Sequence, residues 1–166
     1  MKKVGLIDYY LDEWHANNYP RLLHDVSEGS YEAFCAYAKI DSPIGGMTSR
    51  EWSKKYNVPL VDSIEEVIEA CDVLIVLSPD NPEMHEELTD LPLKSGKRVY
   101  IDKTFAPDKE ATLRMFANAD KHNTPCYTSS ALRFADELDA IDTDSIYKIY
   151  SEGSGLYDIY AIHQIE

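Results

Sequence analysis

The chain has 166 residues, 44% of them hydrophobic and 11% aromatic, enough for one domain with a buried core and too apolar for a disordered tail. Its 30 acidic residues against 16 basic ones leave a net charge of −14, which argues against sequence-independent nucleic-acid binding and against an anionic membrane surface. No apolar run approaches the roughly 20 residues of a membrane span, and the stretch after Lys2-Lys3 is too short for a secretion signal.

Val4-Gly5-Leu6-Ile7 predicts a first strand over 3–7. In a nucleotide-binding α/β protein the turn that follows carries G-x-G-x-x-G. Here the three glycine positions hold Asp8, Tyr10 and Glu13. Pro20 stands where the first helix should be running, which predicts either a helix starting near Tyr19 after a loop from Tyr9 to Asn18, or a short kinked one. A second strand is expected over 33–40. Thr48-Ser49-Arg50-Glu51 and Ser63-Ile64-Glu65-Glu66 both match the capping box that opens helices. After the second box, Ile64, Val67, Ile68 and Cys71 recur at helical spacing.

The run 73–77, Val-Leu-Ile-Val-Leu, has the unbroken apolar character of a central parallel strand covered on both faces. Gly96 is placed to end the helical segment before a strand over 98–101. A helix from Pro107 is expected to bury Leu113, Phe116 and Ala117, and a further strand falls at 125–128. Residues 145–151, SIYKIYS, suggest a half-buried strand. Short apolar strands separated by helices predict an α/β fold with a doubly wound, mostly parallel, Rossmann-like sheet over residues 1–140. Residues 141–166 are expected to be only the start of a second, α+β substrate domain, cut short at Ile165-Glu166. The scattered Cys35, Cys71 and Cys126 read as reduced thiols, which suggests the cytoplasm.

In open parallel sheets the ligand sits at the carboxyl ends of the strands. The residues there are Asp8 to Asp12, Asp41-Ser42-Pro43, Ser78-Pro79-Asp80-Asn81, Asp102-Lys103-Thr104 and Ser129-Ser130. Taken in order they resemble the N-terminal half of the glucose–fructose oxidoreductase / inositol dehydrogenase (Gfo/Idh/MocA) family. YIDKTFAP looks like that family's E-K-P motif, with Asp102 for the glutamate, Lys103 kept and Thr104 for the proline. VLIVLSPDNPEMH looks like its strand followed by T-P-N-x-x-H, with Ser78, Pro79 and His85 matching. SALRF resembles the exit from the nucleotide domain, and YAIHQIE the histidine motif that opens the next.

The resemblance implies an NAD(P)-dependent oxidoreductase acting on a sugar- or polyol-like secondary alcohol. Lys103 would then polarise the reacting oxygen, His163 would serve as acid or base, and Asp158 would neighbour the substrate. The cofactor would meet Asp8, Tyr9, Tyr10, Asp41, Ser78, Pro79, Asn81, His85 and Asp102. Asp41, placed to accept bonds from the adenine ribose, favours NAD over NADP because its charge repels a 2′-phosphate. A small-molecule substrate is implied, with homo-oligomerisation left open.

Three alternatives stand beside this. Acidic Asp8 and Glu13 in place of glycines repel a pyrophosphate, so a non-catalytic relative that kept the fold as a ligand-binding or regulatory module is the second function. A receiver-type domain, with Asp80 as phosphoacceptor, is the third. A metal site from Asp8, Asp12, Glu13 and His15 matches no ligand spacing, so no metal is expected.

Overall fold

The computed structural model describes residues 1–153 and 155–165, apart from the side chains of Asp139, Asp158 and Ile159. Five strands, β1 (Lys2–Asp8), β2 (Tyr31–Ala38), β3 (Val73–Val76), β4 (Arg98–Ile101) and β5 (Cys126–Tyr127), pair in parallel in the order β2-β1-β3-β4-β5. Beyond β2, a parallel bridge joins Ala36 to Leu60, a rudimentary outer strand. With it, the chain winds outward from β1 on one side and returns to build the other. The direction reverses between β1 and β3, and the ligand crevice of such sheets lies at that reversal.

Alternation along the strands sends side chains into two cores. Ile7, Leu74, Val76, Val99 and Ile101 pack against α3 (Ile64–Ala70), α4 (His85–Thr89) and α5 (Lys109–Lys121). Val4, Leu6, Ile75 and Leu77 pack on the other face against α1 (Trp14–Val26) and α2 (Ser49–Tyr56), whose Trp52 is fully buried. Both faces of β3 are thus covered, as its unbroken apolar run requires. Gly5 faces α3, where a Cβ would overlap the Val67 side chain. Helix α2 opens with a complete capping box between Thr48 and Glu51, and Ser63 caps α3 through the N–H of Glu66. Gly96 adopts a φ of +71° just after the short 3₁₀ turn Pro92–Lys94.

Four details depart from the pattern in the sequence. Helix α1 begins at Trp14, not near Tyr19, and carries Pro20 inside it. The Glu13 side chain supplies the N-cap that allows the early start. Pro20 forgoes the backbone bond that its missing N–H would have made, and its ring crowds the carbonyl four residues back, a cost the helix carries. Helix α5 buries Ala111, Met115 and Ala119 instead of Leu113, Phe116 and Ala117. Asp108 caps it through Ala111 N–H at 2.7 Å, and Ala111, Met115 and Ala119 stand on one helix face in the core. Phe116 stacks on Phe105 at the rim, with ring centroids 4.8 Å apart.

Strand β2 ends at Ala38, although Lys39 and Ile40 still donate to the carbonyls of Asp8 and Tyr9. Residues 145–151 form no strand: Tyr147, Ile149 and Tyr150 stand exposed and pair with no sheet among the described residues. No helix among the described residues is long and apolar enough to cross a membrane.

Candidate functional site

The turn between β1 and α1 is closed by its own side chains. Asp8, fully buried, accepts the N–H of Tyr9 on Oδ1 at 2.7 Å, while its Oδ2 has no hydrogen-bond partner. Burial, then the charge of Glu13 beside it, pushes the Asp8 carboxyl well above the usual aspartate range. Tyr10 and Leu11 fold inward and are buried. The Asp12 carboxylate accepts Met47 N–H at 2.7 Å and Asn17 Nδ2–H at 3.1 Å, drawing the chain after β2 onto the turn.

Glu13 is the decisive residue of the turn. Its carboxylate accepts the backbone N–H of His15, at 2.7 Å, and that of Ala16. These are donors that a helix N-terminus otherwise offers to a phosphate. The same carboxylate lies 2.9 Å from His15 Nδ1, and His15 Nε2 lies 3.6 Å from Asp102 Oδ2. The pyrophosphate of a dinucleotide does not fit this turn, because the buried Glu13 carboxylate already holds its donors.

Helices cover one face of the sheet across its width, whereas α1 and α2 leave β4 and β5 bare on the other. A half-open cavity of about 590 Å³ results, walled by Trp14, Tyr19, Leu23, Ile75, Tyr100 and Tyr127. Its polar groups are His15, Asp102, Lys103, Ser129 and His163, with Arg98 at the opposite, amino end of the strands. The Tyr100 hydroxyl reaches Asp102 Oδ1 at 3.2 Å and the Ser129 carbonyl at 3.1 Å. Burial and the Asp102 charge keep that phenol well above its usual range, so it stays protonated. Lys103 Nζ, nearly buried, lies 4.0 Å from Asp102 Oδ2. His163, on the single-turn helix Ile162–Ile165, brings Nδ1 to 2.5 Å from Ser130 Oγ. A cation, two imidazoles, a carboxylate and hydroxyls therefore meet around one apolar space, the group types that proton transfer at a hydroxyl or carbonyl requires.

The residues named from the sequence fall in different places. Lys103, His163 and Asp102 line the cavity together. The side chain of Asp158 lies outside the described residues. Asp8, Tyr9 and Tyr10 belong to the closed first turn. Asp41 is exposed beyond β2, where its Oδ1 accepts Ser49 N–H at 2.7 Å, and that bond holds its carboxyl below the usual range.

The turn after β3 is self-contained. Ser78 has a φ of +82° and places its hydroxyl 3.2 Å from the Asn81 carbonyl, Pro79 is buried, and Asn81 donates to Glu83. His85, expected on the cofactor surface, is instead fully buried. Its Nδ1 lies 3.0 Å from the Phe105 carbonyl and its Nε2 against that of Leu77. It ties the end of β3 to the loop after β4, and burial lowers its basicity. Glu13, His15 and Tyr100 were missed as site residues. An acid followed two and three positions on by free helix donors is a legible cap, but Pro20 pointed the helix start elsewhere. Among the described residues no three His, Cys, Asp or Glu side chains are grouped to hold a metal ion.

Comparison with known proteins agrees with the fold. The family described as an oxidoreductase family with an NAD-binding Rossmann fold, Gfo/Idh/MocA, matches residues 43–130. The match begins after the divergent first turn. The solved structures of similar fold include a dehydrogenase (MviM) from Clostridium difficile, 22% identical, covering 80% of this chain and 40% of that one with a TM-score of 0.61. Another is the WlbA dehydrogenase from Bordetella pertussis in complex with NADH and UDP-GlcNAcA, 14% identical, covering 82% and 39%, TM-score 0.64. A third is biliverdin reductase from Synechocystis in complex with biliverdin and NADP+, 12% identical, covering 76% and 37%, TM-score 0.59. The chain thus spans two-fifths or less of the length of these structures. No curated protein matches it in sequence. With a match over more than half of its length, the chain belongs to the Gfo/Idh/MocA oxidoreductase family, with its NAD-binding Rossmann fold.

Proposed function

We propose that this chain is a divergent member of its family that keeps the acid–base end of the site and has given up the usual dinucleotide grip. It then acts as a binding module for a small molecule with an apolar body and a hydroxyl or carbonyl group. The carrying observation is the cavity itself, an aromatic-walled space with Lys103, His163 and Asp102 around it. Lys103 would hydrogen-bond the ligand oxygen, and His163, backed by Ser130, would exchange a proton with it. His15 and Asp102 would form the other polar wall.

The second reading is turnover: an NAD(P)-dependent oxidoreductase acting on a sugar- or polyol-like secondary alcohol. The lining of one cavity by both Lys103 and His163 favours it, as does family membership. Asp41 beyond β2 would select NAD over NADP, and residues 141–166 would begin a substrate domain that contributes Asp158. Such an enzyme would hold its dinucleotide without the α1 terminus, and assembly into homo-oligomers and work in the cytoplasm belong to the same reading.

Titration calorimetry of the full chain with NADH and with NADPH separates the two. The module reading expects no heat of binding at millimolar nucleotide. Micromolar binding of either nucleotide would replace it with the oxidoreductase reading.

A further inference from the structure

We propose that Glu13 is a built-in surrogate for a ligand phosphate, closing the α1 terminus to dinucleotides and using the same carboxylate to set His15 in the cavity. The inference concerns the turn and not the cavity's occupant, so it stands or fails separately from the function proposed above.

The geometry of the turn carries it. A phosphate at a helix N-terminus is held by the free N–H groups of the first turn. In α1 two of these, His15 and Ala16, already point at Glu13 oxygens. Glu13 is nearly buried, so its charge meets little competing water. Behind it lies the buried Asp8 carboxyl, whose Oδ2 has no hydrogen-bond partner among the described residues, so the wall of the turn offers an incoming phosphate no cation. Tyr10 and Leu11 fill the volume that small residues would leave open. Asp12 fastens the turn from outside through Met47 N–H.

The carboxylate has a second task. Its Oε2 takes both the backbone N–H and the ring Nδ1 of His15, at 2.7 and 2.9 Å. With Nδ1 so held, Nε2 is turned towards Asp102 and the cavity. Glu13 is therefore a positioning residue for His15. A phosphate that displaced it would free the imidazole, so a phosphate at α1 and a fixed His15 exclude each other.

The test uses the ¹⁵N-labelled full chain, with inorganic pyrophosphate as probe, and follows the backbone amides of His15 and Ala16 and the ring nitrogens of His15. In the wild type the two amides should stay unmoved at millimolar pyrophosphate. In Glu13→Ser, where serine still caps the helix, they should shift saturably, with pyrophosphate bound at least about tenfold more tightly once the repelling charge is gone. The His15 ring signals should change in Glu13→Ser without any ligand. Glu13→Gly, which leaves both donors free and is tolerated at a helix N-cap, should show the same trends if the serine variant does not fold. Saturable movement of the two amides in the wild type overturns the proposal. So do pyrophosphate-blind amides in a folded Glu13 variant, or His15 ring signals indifferent to the substitution. Binding of NADH that leaves these amides still upholds the closure and points to a different nucleotide mode.

Discussion

His15 is bound twice to a single oxygen of Glu13, its backbone N–H at 2.7 Å and its ring Nδ1 at 2.9 Å from Oε2. One carboxylate thus both starts helix α1 and orients an imidazole of the cavity. Loss of the cap in Glu13→Ala should lower stability by about 0.5–2 kcal/mol, the usual range for a helix N-cap. Urea denaturation checks this, and Glu13→Gln should retain most of the stability because its amide oxygen still accepts the helix donors.

Asp8 sets a stability that falls as pH rises. Its carboxyl titrates above the ordinary range because of burial and of Glu13, with Asp102 adding to the same effect and the N–H groups of Tyr9 and Tyr10 opposing it. The folded state therefore holds the Asp8 proton more tightly than the unfolded one, and stability falls as pH climbs from the ordinary aspartate range to the raised value. Asp8→Asn removes that proton uptake. The variant should match the wild type below the aspartate range and exceed it at neutral pH, as read from urea midpoints across the pH series.

His85 ties the end of β3 to the loop after β4. A neutral imidazole donates to one of the two carbonyls it touches, so leucine, close in volume, leaves one buried carbonyl, that of Leu77 or of Phe105, without its donor. Each unsatisfied group costs about 1–3 kcal/mol. His85→Leu should lower the urea midpoint accordingly and increase exchange of the β3 and β4 amides.

Gly5 is required by the approach of α3 to β1. A methyl group there would overlap the Val67 side chain and crowd Cys71. Overpacking of this kind costs about 1–3 kcal/mol. Gly5→Ala should destabilise by that amount, and Val67→Ala in the same chain should recover part of the loss. A double-mutant cycle reading additive effects would contradict the contact.

Much of this architecture was legible in the sequence because it is local. The Thr48 and Ser63 caps, the unbroken apolar run of β3 and the residues at the strand ends follow from spacing alone. Lys103 and His163 came from motif resemblance, and their shared cavity could not be read from it, since it arises where α1 and α2 stop short of β4 and β5. The start of α1 was misjudged because Pro20 outweighed Glu13, a cap that acts through tertiary burial. The burial of His85 could not be read because the loop after β4, which encloses it, is distant in sequence. On α5 the core face is held by Ala111, Met115 and Ala119, one residue per turn, and Leu113 falls on the exposed side.

The central claim is a small-molecule site at the cavity's polar groups and no dinucleotide at the first turn. Its most direct test is one NMR titration of the full chain, methyl-labelled and ¹⁵N-labelled, with a panel of small secondary alcohols and ketones and with NADH. Members of the panel should shift the methyls of Leu22, Leu23 and Ile75, which line the cavity. Those shifts should weaken at least about tenfold in Lys103→Ala, the loss of a hydrogen bond from a charged group. NADH should leave the His15 and Ala16 amides unmoved. A panel that moves no cavity methyl, or NADH that saturably shifts those amides, would contradict the account.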